Sequence, residues 1–199
     1  MDIFAFEELR TEILSCRKCG LSETRNHVVF GEGNPEAEIL IIGEGPGAEE
    51  DKTGRPFVGR SGKLLDKILE ASGFNRTEHV FIANIVKCRP PNNRAPLPEE
   101  RMACMPYLDK QIEMIDPKII ILLGATALSM VDAKAKITKV RGKWIIWNNR
   151  LIMPTFHPSA LLRNPNLKKD TWEDFKKVVY KYRELVNPRH YSANIPLEA

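Results

Sequence analysis

The chain has 199 residues and a formal net charge of +4, with 43% hydrophobic and 28% charged residues. That length can bury a core and that composition is ordinary for a folded protein, so an extended low-complexity chain is excluded. No apolar run nears the roughly 20 residues of a membrane span and no basic-then-apolar leader opens the sequence, so a cytoplasmic protein is expected, as one domain over residues 1–186 with a loose tail at 187–199.

Taken in order, residues 3–15 pattern as an amphipathic helix with Phe6, Leu9 and Ile13 on one face, delivering Cys16 and Cys19 at its end. Val28, Val29 and Phe30 read as a short strand. Residues 39–42, all branched and apolar, read as a strand buried on both faces. It breaks into Gly43-Glu44-Gly45-Pro46-Gly47, then Glu49, Glu50 and Asp51, then Arg55-Pro56-Phe57. Beyond Ser61 the spacing of Leu64, Leu65, Ile68 and Leu69 predicts a helix that stops at Gly73. The glycine turn is neither a phosphate loop nor a G-x-G-x-x-G fingerprint, and its acids would repel phosphate, which favours a largely uncharged ligand held by backbone groups.

Residues 80–84 predict a second strand ending on Asn84. The proline-rich stretch 89–96 excludes helix or central strand. A helix is expected from Pro98 past Cys104 towards Met114, kinked at Pro106. Residues 119–123 give a third buried strand, and Gly124-Ala125-Thr126 opens a short helix. Residues 144–147 and 151–153 form a hairpin around Asn148-Asn149, feeding Thr155-Phe156-His157-Pro158-Ser159, and a charged helix covers 170–185. Strands alternating with helices predict a mainly parallel sheet covered on both faces. The polar clusters at 43–57, Asn84 and His157 then gather at the carboxyl ends of strands, where such sheets bind ligands.

Four cysteines (Cys16, Cys19, Cys88, Cys104) in a cytosolic chain point to a metal site over disulfides. Only one C-x2-C knuckle is present, so an iron–sulfur cluster suits the set at least as well as zinc. Neighbouring Arg17, Lys18, Lys87 and Arg89 would offset tetrathiolate charge. From Ala133 to Lys169 there are nine basic residues and no acidic one, a one-sided run that points to nucleic acid.

Together, Gly43-Glu44-Gly45-Pro46-Gly47 with Arg55-Pro56-Phe57, Asn84 to Pro91, and His157 to Arg163 resemble the three motifs of family 4 uracil-DNA glycosylases, the iron–sulfur type, and the cysteines match that family's cluster ligands in order. The resemblance spans about residues 9–186. It implies a three-layer α/β/α sandwich around a four-stranded mainly parallel sheet, and a structural [4Fe–4S] cluster on Cys16, Cys19, Cys88 and Cys104. It further implies monofunctional hydrolysis of the uracil N-glycosidic bond in DNA.

The implied chemistry fits the residues. Glycosidic cleavage leaves an oxocarbenium-like sugar and a uracil anion whose charge His157 and the amides of Gly43 to Gly45 can stabilise. Phe57 would stack on the flipped base, and Asn84 can accept from N3–H and donate to O4. Leu161, Leu162 and Arg163 would fill the vacated stack, and Lys139 and Arg141 would meet phosphates. The best-known uracil glycosylases carry an Asp and a Tyr where this chain has Gly45 and Gly47. Glu44 is the nearest carboxylate to orient water, with Glu49 or Glu50 lining the pocket. A non-catalytic metal-cluster nucleic-acid-binding protein, or a glycosylase for other deaminated bases, are the alternatives. The partner expected is uracil-containing DNA bound by a monomer; no peptide for a sliding clamp is evident.

Overall fold

The structure is a computed structural model, and it describes residues 1–197. Three five-residue strands arise where apolar residues run together: β2 (Ile39–Gly43), β3 (Val80–Asn84) and β4 (Ile119–Leu123), each buried along its whole length, after a two-residue β1 (Glu32–Gly33). The hairpin closes the sheet as β5 (Ile145–Trp147) and β6 (Arg150–Thr155), turning through Asn148 and Asn149, both at positive φ. The order is β1-β3-β2-β4-β6-β5, with β3, β2, β4 and β6 parallel and the two edge strands antiparallel. The expected four parallel strands are therefore the centre of a six-stranded mixed sheet.

Successive residues of a strand face opposite ways. Leu40, Ile42, Phe81, Ala83, Ile120 and Leu122 join one core with residues of α1 (Ile3–Leu14) and α5 (Pro98–Ile115). Ile39, Ile41, Val80, Ile82, Ile119 and Ile121 join the other with residues of α4 (Arg60–Ala71) and α9 (Leu167–Leu185). Three layers follow directly. The remaining helices are short: α2 (Leu21–Thr24), α3 (Ala48–Thr53), α6 (Gly124–Leu128), α7 (Ile137–Val140) and α8 (Pro158–Arg163).

Three expectations change. Residues 28–30 are buried but form no strand; the Val29 N–H donates instead to the Lys87 carbonyl. α5 continues through Pro106 as one helix. The tail is strapped down: the Arg183 guanidinium donates to the carbonyls of His190, Ile195 and Pro196, and Ile195 is buried. The His190 ring stacks on Phe74 at 4.5 Å. The last two residues of the expected tail lie outside the described residues. Among those described, no helix is long and apolar enough to cross a membrane.

Candidate active site and cysteine pocket

Parallel pairing of β2 with β3 sets Gly43 directly beside Asn84, and the C-terminal ends of β4 and β6 add Gly124 and His157. These ends form one groove whose walls include Glu44, Glu50, Phe57, Asn84, Thr126, His157 and Arg163. The site depends on missing side chains at two glycines. A Cβ on Gly43 would lie 2.5 Å from Asn84 Oδ1 and 2.6 Å from the Phe57 ring, and one on Gly62 would lie 1.8 Å from the Phe57 carbonyl oxygen. Phe57 itself takes φ 51°, a conformation rare for an aromatic residue and kept only where neighbours enforce it. The enforcers are Arg76, which donates to the carbonyls of Pro56 and Phe57, and Glu50. The Glu50 carboxylate accepts from the backbone N–H groups of Gly47, Val58 and Gly59, gripping the loop on both sides of Phe57.

The acids of the glycine turn thus divide. Glu50 lines the groove but is occupied with loop amides. Asp51 is buried and accepts from the backbone of Asn26 and His27, while Glu49 pairs with Lys52 at the surface. Glu44 faces the groove, with one carboxylate oxygen accepting from the Thr126 hydroxyl.

Asn84 is 2% exposed, and its Oδ1 is a buried acceptor with no hydrogen-bond partner. Such an atom is costly to leave unpaired, so it marks a place where a donor is expected. His157 caps α8: its Nδ1 accepts from the Ser159 N–H at 3.1 Å. The proton of a neutral ring therefore sits on Nε2. Burial, with the Arg163 guanidinium nearby, pushes the imidazole down to about 4, so His157 is a neutral N–H donor at neutral pH. Its ring lies 5.6 Å from that of Phe57.

Two of the expected DNA-facing residues are placed otherwise. Leu161 is 1% exposed and belongs to the interior, whereas Leu162 and Arg163 on the same short helix are exposed. Arg141 is drawn inward onto the fully buried Asp174, with Thr155 donating to the same carboxylate. Lys134, Lys136, Lys139, Lys143, Lys168 and Lys169 remain exposed. A contrast follows. Lys139→Ala should lower the log–log salt slope of DNA binding by about one unit. Arg141→Ala should leave a buried carboxylate unpaired and cost about 3–5 kcal/mol of stability. Salt titrations and denaturant melts of the two variants separate these effects; equal salt slopes for Lys139→Ala and the unaltered chain would make this lysine merely solvated.

The four cysteines line a second pocket, on the other side of the turn that follows Asn84. Arg25 donates to Cys88 Sγ at 3.2 Å, and the Lys87 N–H donates to Cys104 Sγ at 3.3 Å. Among the described residues no three His, Cys, Asp or Glu side chains are grouped as around a single metal ion. Four sulfurs spread around one pocket, with cationic and N–H groups already directed at them, fit a larger thiolate-held group. Burial pushes the Cys88 thiol up to about 11 and raises Cys104 as well, which makes neither a nucleophile in its own right.

A three-layer sheet with a polar groove at its strand ends defines a class, and the family model described as the uracil DNA glycosylase superfamily matches residues 30–176 of this chain. Within it, the chain belongs to the type-4 uracil-DNA glycosylases. It is 48% identical to the type-4 uracil-DNA glycosylase of Sulfurisphaera tokodaii over 94% of this chain and 88% of that one. Identity to the type-4 uracil-DNA glycosylase of Thermotoga maritima is 53%, over 86% of this chain and 91% of the relative. A type-5 uracil-DNA glycosylase from Thermus thermophilus matches less of it, at 34% identity over 56% of this chain and 57% of its own.

Proposed function

We propose that this protein removes uracil from DNA by hydrolysing the bond between uracil N1 and deoxyribose C1′, releasing the free base and leaving an abasic site. The observation that carries the reading is the orphaned Asn84 Oδ1. Uracil presents an N3–H donor to such an acceptor and an O4 acceptor to the same amide's NH2, whereas cytosine presents the reverse at both atoms. A base must leave the duplex to reach this depth, and Phe57 gives its ring a wall to lie against, with the exposed pair Leu162 and Arg163 available to fill the gap it leaves.

When N1–C1′ breaks, the bonding electrons stay on the base. His157 Nε2–H is the donor suited to the charge that gathers on O2, and a neutral imidazole holds that charge without giving up its proton first. Water then bonds C1′ from the other side, and the proton it sheds balances the one the departing uracil anion takes up. Glu44, its carboxylate steadied by Thr126, is the group suited to orient that water. All these residues come from one chain, so a monomer acting on uracil-containing DNA suffices. The test is incubation with a uracil-containing oligonucleotide followed by alkali. Cleavage at the uracil is expected, and an intact strand would remove the enzyme reading.

Cys16, Cys19, Cys88 and Cys104 would hold a [4Fe–4S] cluster, which would supply a cross-link between distant segments and no step of the excision. Anaerobically purified protein should then be brown, with broad absorption near ~400 nm. Cys88→Ala should cost stability more than chemistry. Stoichiometric zinc without iron would overturn the assignment.

A further inference from the structure

Lys87 is the largest fully buried side chain whose charge no carboxylate answers: it is 1% exposed and makes no ion pair among the described residues. A buried ammonium is expensive unless its surroundings use it. Here its Nζ donates to the Asn84 carbonyl at 3.0 Å and to Gln111 Oε1 at 2.6 Å, and the Gln111 amide in turn donates to the Phe30 carbonyl. The main chain of the same residue is held from both sides, its N–H by Cys104 Sγ and its carbonyl by the Val29 N–H. Between Asn84 and Lys87, the Ile85 N–H donates to the Gly43 carbonyl and the Val86 N–H to that of Glu44. One four-residue turn therefore carries the base-reading amide at one end and the wall of the cysteine pocket at the other, while its middle fastens the glycine turn.

We propose that Lys87 is a positioning residue for Asn84: anchored on the cysteine pocket, its ammonium fixes the end of β3 and with it the amide that reads the base. Thiolates at Cys88 and Cys104 in a filled pocket would supply the negative charge that offsets a buried ammonium at this place. The inference rests on the glycosylase reading and adds to it the group that sets the pose of its specificity residue.

The test uses cluster-loaded protein and compares Lys87→Met, which keeps the length and removes the donors, with Lys87→Arg, which restores them. Iron content and the absorption near ~400 nm should be retained in both. Lys87→Met should lower single-turnover uracil excision by roughly 10²-fold, the scale of loss that a small misplacement of a reacting group produces. Binding of undamaged DNA should stay within about twofold, because the phosphate contacts lie elsewhere. Lys87→Arg should recover much of the excision.

The decisive comparison is made in an Asn84→Ala background. A residue acting through Asn84 has little left to disturb there, so Lys87→Met should add less than about threefold. A full loss in that background would show a general structural role and overturn the proposal, as would unchanged excision by folded Lys87→Met. Should Lys87→Met not fold, Gln111→Met, which removes the ammonium's second acceptor and leaves Lys87 in place, carries the same expectations. An unaltered protein that fails to excise uracil would sink the glycosylase reading, whereas loss confined to the variants speaks to Lys87.

Discussion

Asn84→Asp should lose most uracil excision and gain a weak activity on cytosine. The substitution keeps the shape of the side chain and replaces the amide NH2 with a second oxygen. Uracil O4 then faces an acceptor, and a buried mismatch of this kind costs roughly 1–3 kcal/mol per unsatisfied group. The one lost contact leaves two groups unsatisfied, uracil O4 and the carboxylate oxygen facing it, which corresponds to about 10²- to 10⁴-fold, the rejection that polar sites achieve. Cytosine N4–H gains an acceptor, and a protonated carboxyl can also donate to its N3, so the new activity should improve as pH falls. The position has no slack for compensation. Gly43 brings the β2 backbone against Oδ1 on one side, and the Lys87 ammonium holds the Asn84 carbonyl on the other. Excision is best compared on matched uracil and cytosine oligonucleotides, with the cytosine unpaired to ease flipping. Uracil activity equal to that of the unaltered chain would mean that Asn84 does not read the base.

The parts of this site that the sequence made legible are those that chemistry marks locally. Apolar runs announced β2, β3 and β4, and the glycine turn after β2, Asn84 at the end of β3 and His157 after the last strand were already the candidates. The parts it hid depend on partners distant in the chain. Asp174 claims Arg141 across 33 positions, so a count of basic residues assigned to DNA phosphates one that is structural. Leu161 and Leu162 are adjacent and chemically alike, and only the packing of a six-residue helix puts one inside and the other out. Glu49 and Glu50 read as equivalent pocket acids, because the backbone amides that Glu50 accepts from leave no trace in composition. A polar, proline-bearing tail gave no sign that Arg183 would bind three of its carbonyls. The edge strand β1 has two residues, too few for any periodicity to appear. Lys87 was visible only as a charge beside a cysteine, whereas its hydrogen bonds point towards Asn84.

His157→Ala should reduce excision by about 10²- to 10³-fold, the usual cost of removing one preorganised donor from a developing anion. The pH dependence distinguishes how the donor works. A neutral imidazole whose Nδ1 is capped by the Ser159 N–H donates through Nε2 at every pH above its own titration, which burial and Arg163 have pushed down to about 4. Uracil excision should therefore show no alkaline loss attributable to His157 as pH rises through 6.5, where an imidazolium donor of ordinary acidity would be switched off. The sign for stability is the opposite of that for a salt-bridged histidine. The unfolded chain takes up this proton near 6.5 and the folded chain resists it until about 4, so the contribution is complete above 6.5 and is lost as pH falls towards 4. Melting profiles of the unaltered chain and His157→Gln should diverge across that window, with the variant the flatter of the two, after the carboxylates common to both have cancelled. An excision rate that falls with an apparent pKa near 6.5 on the alkaline side, and loses that feature in His157→Gln, would make the imidazolium the donor and reverse the assignment.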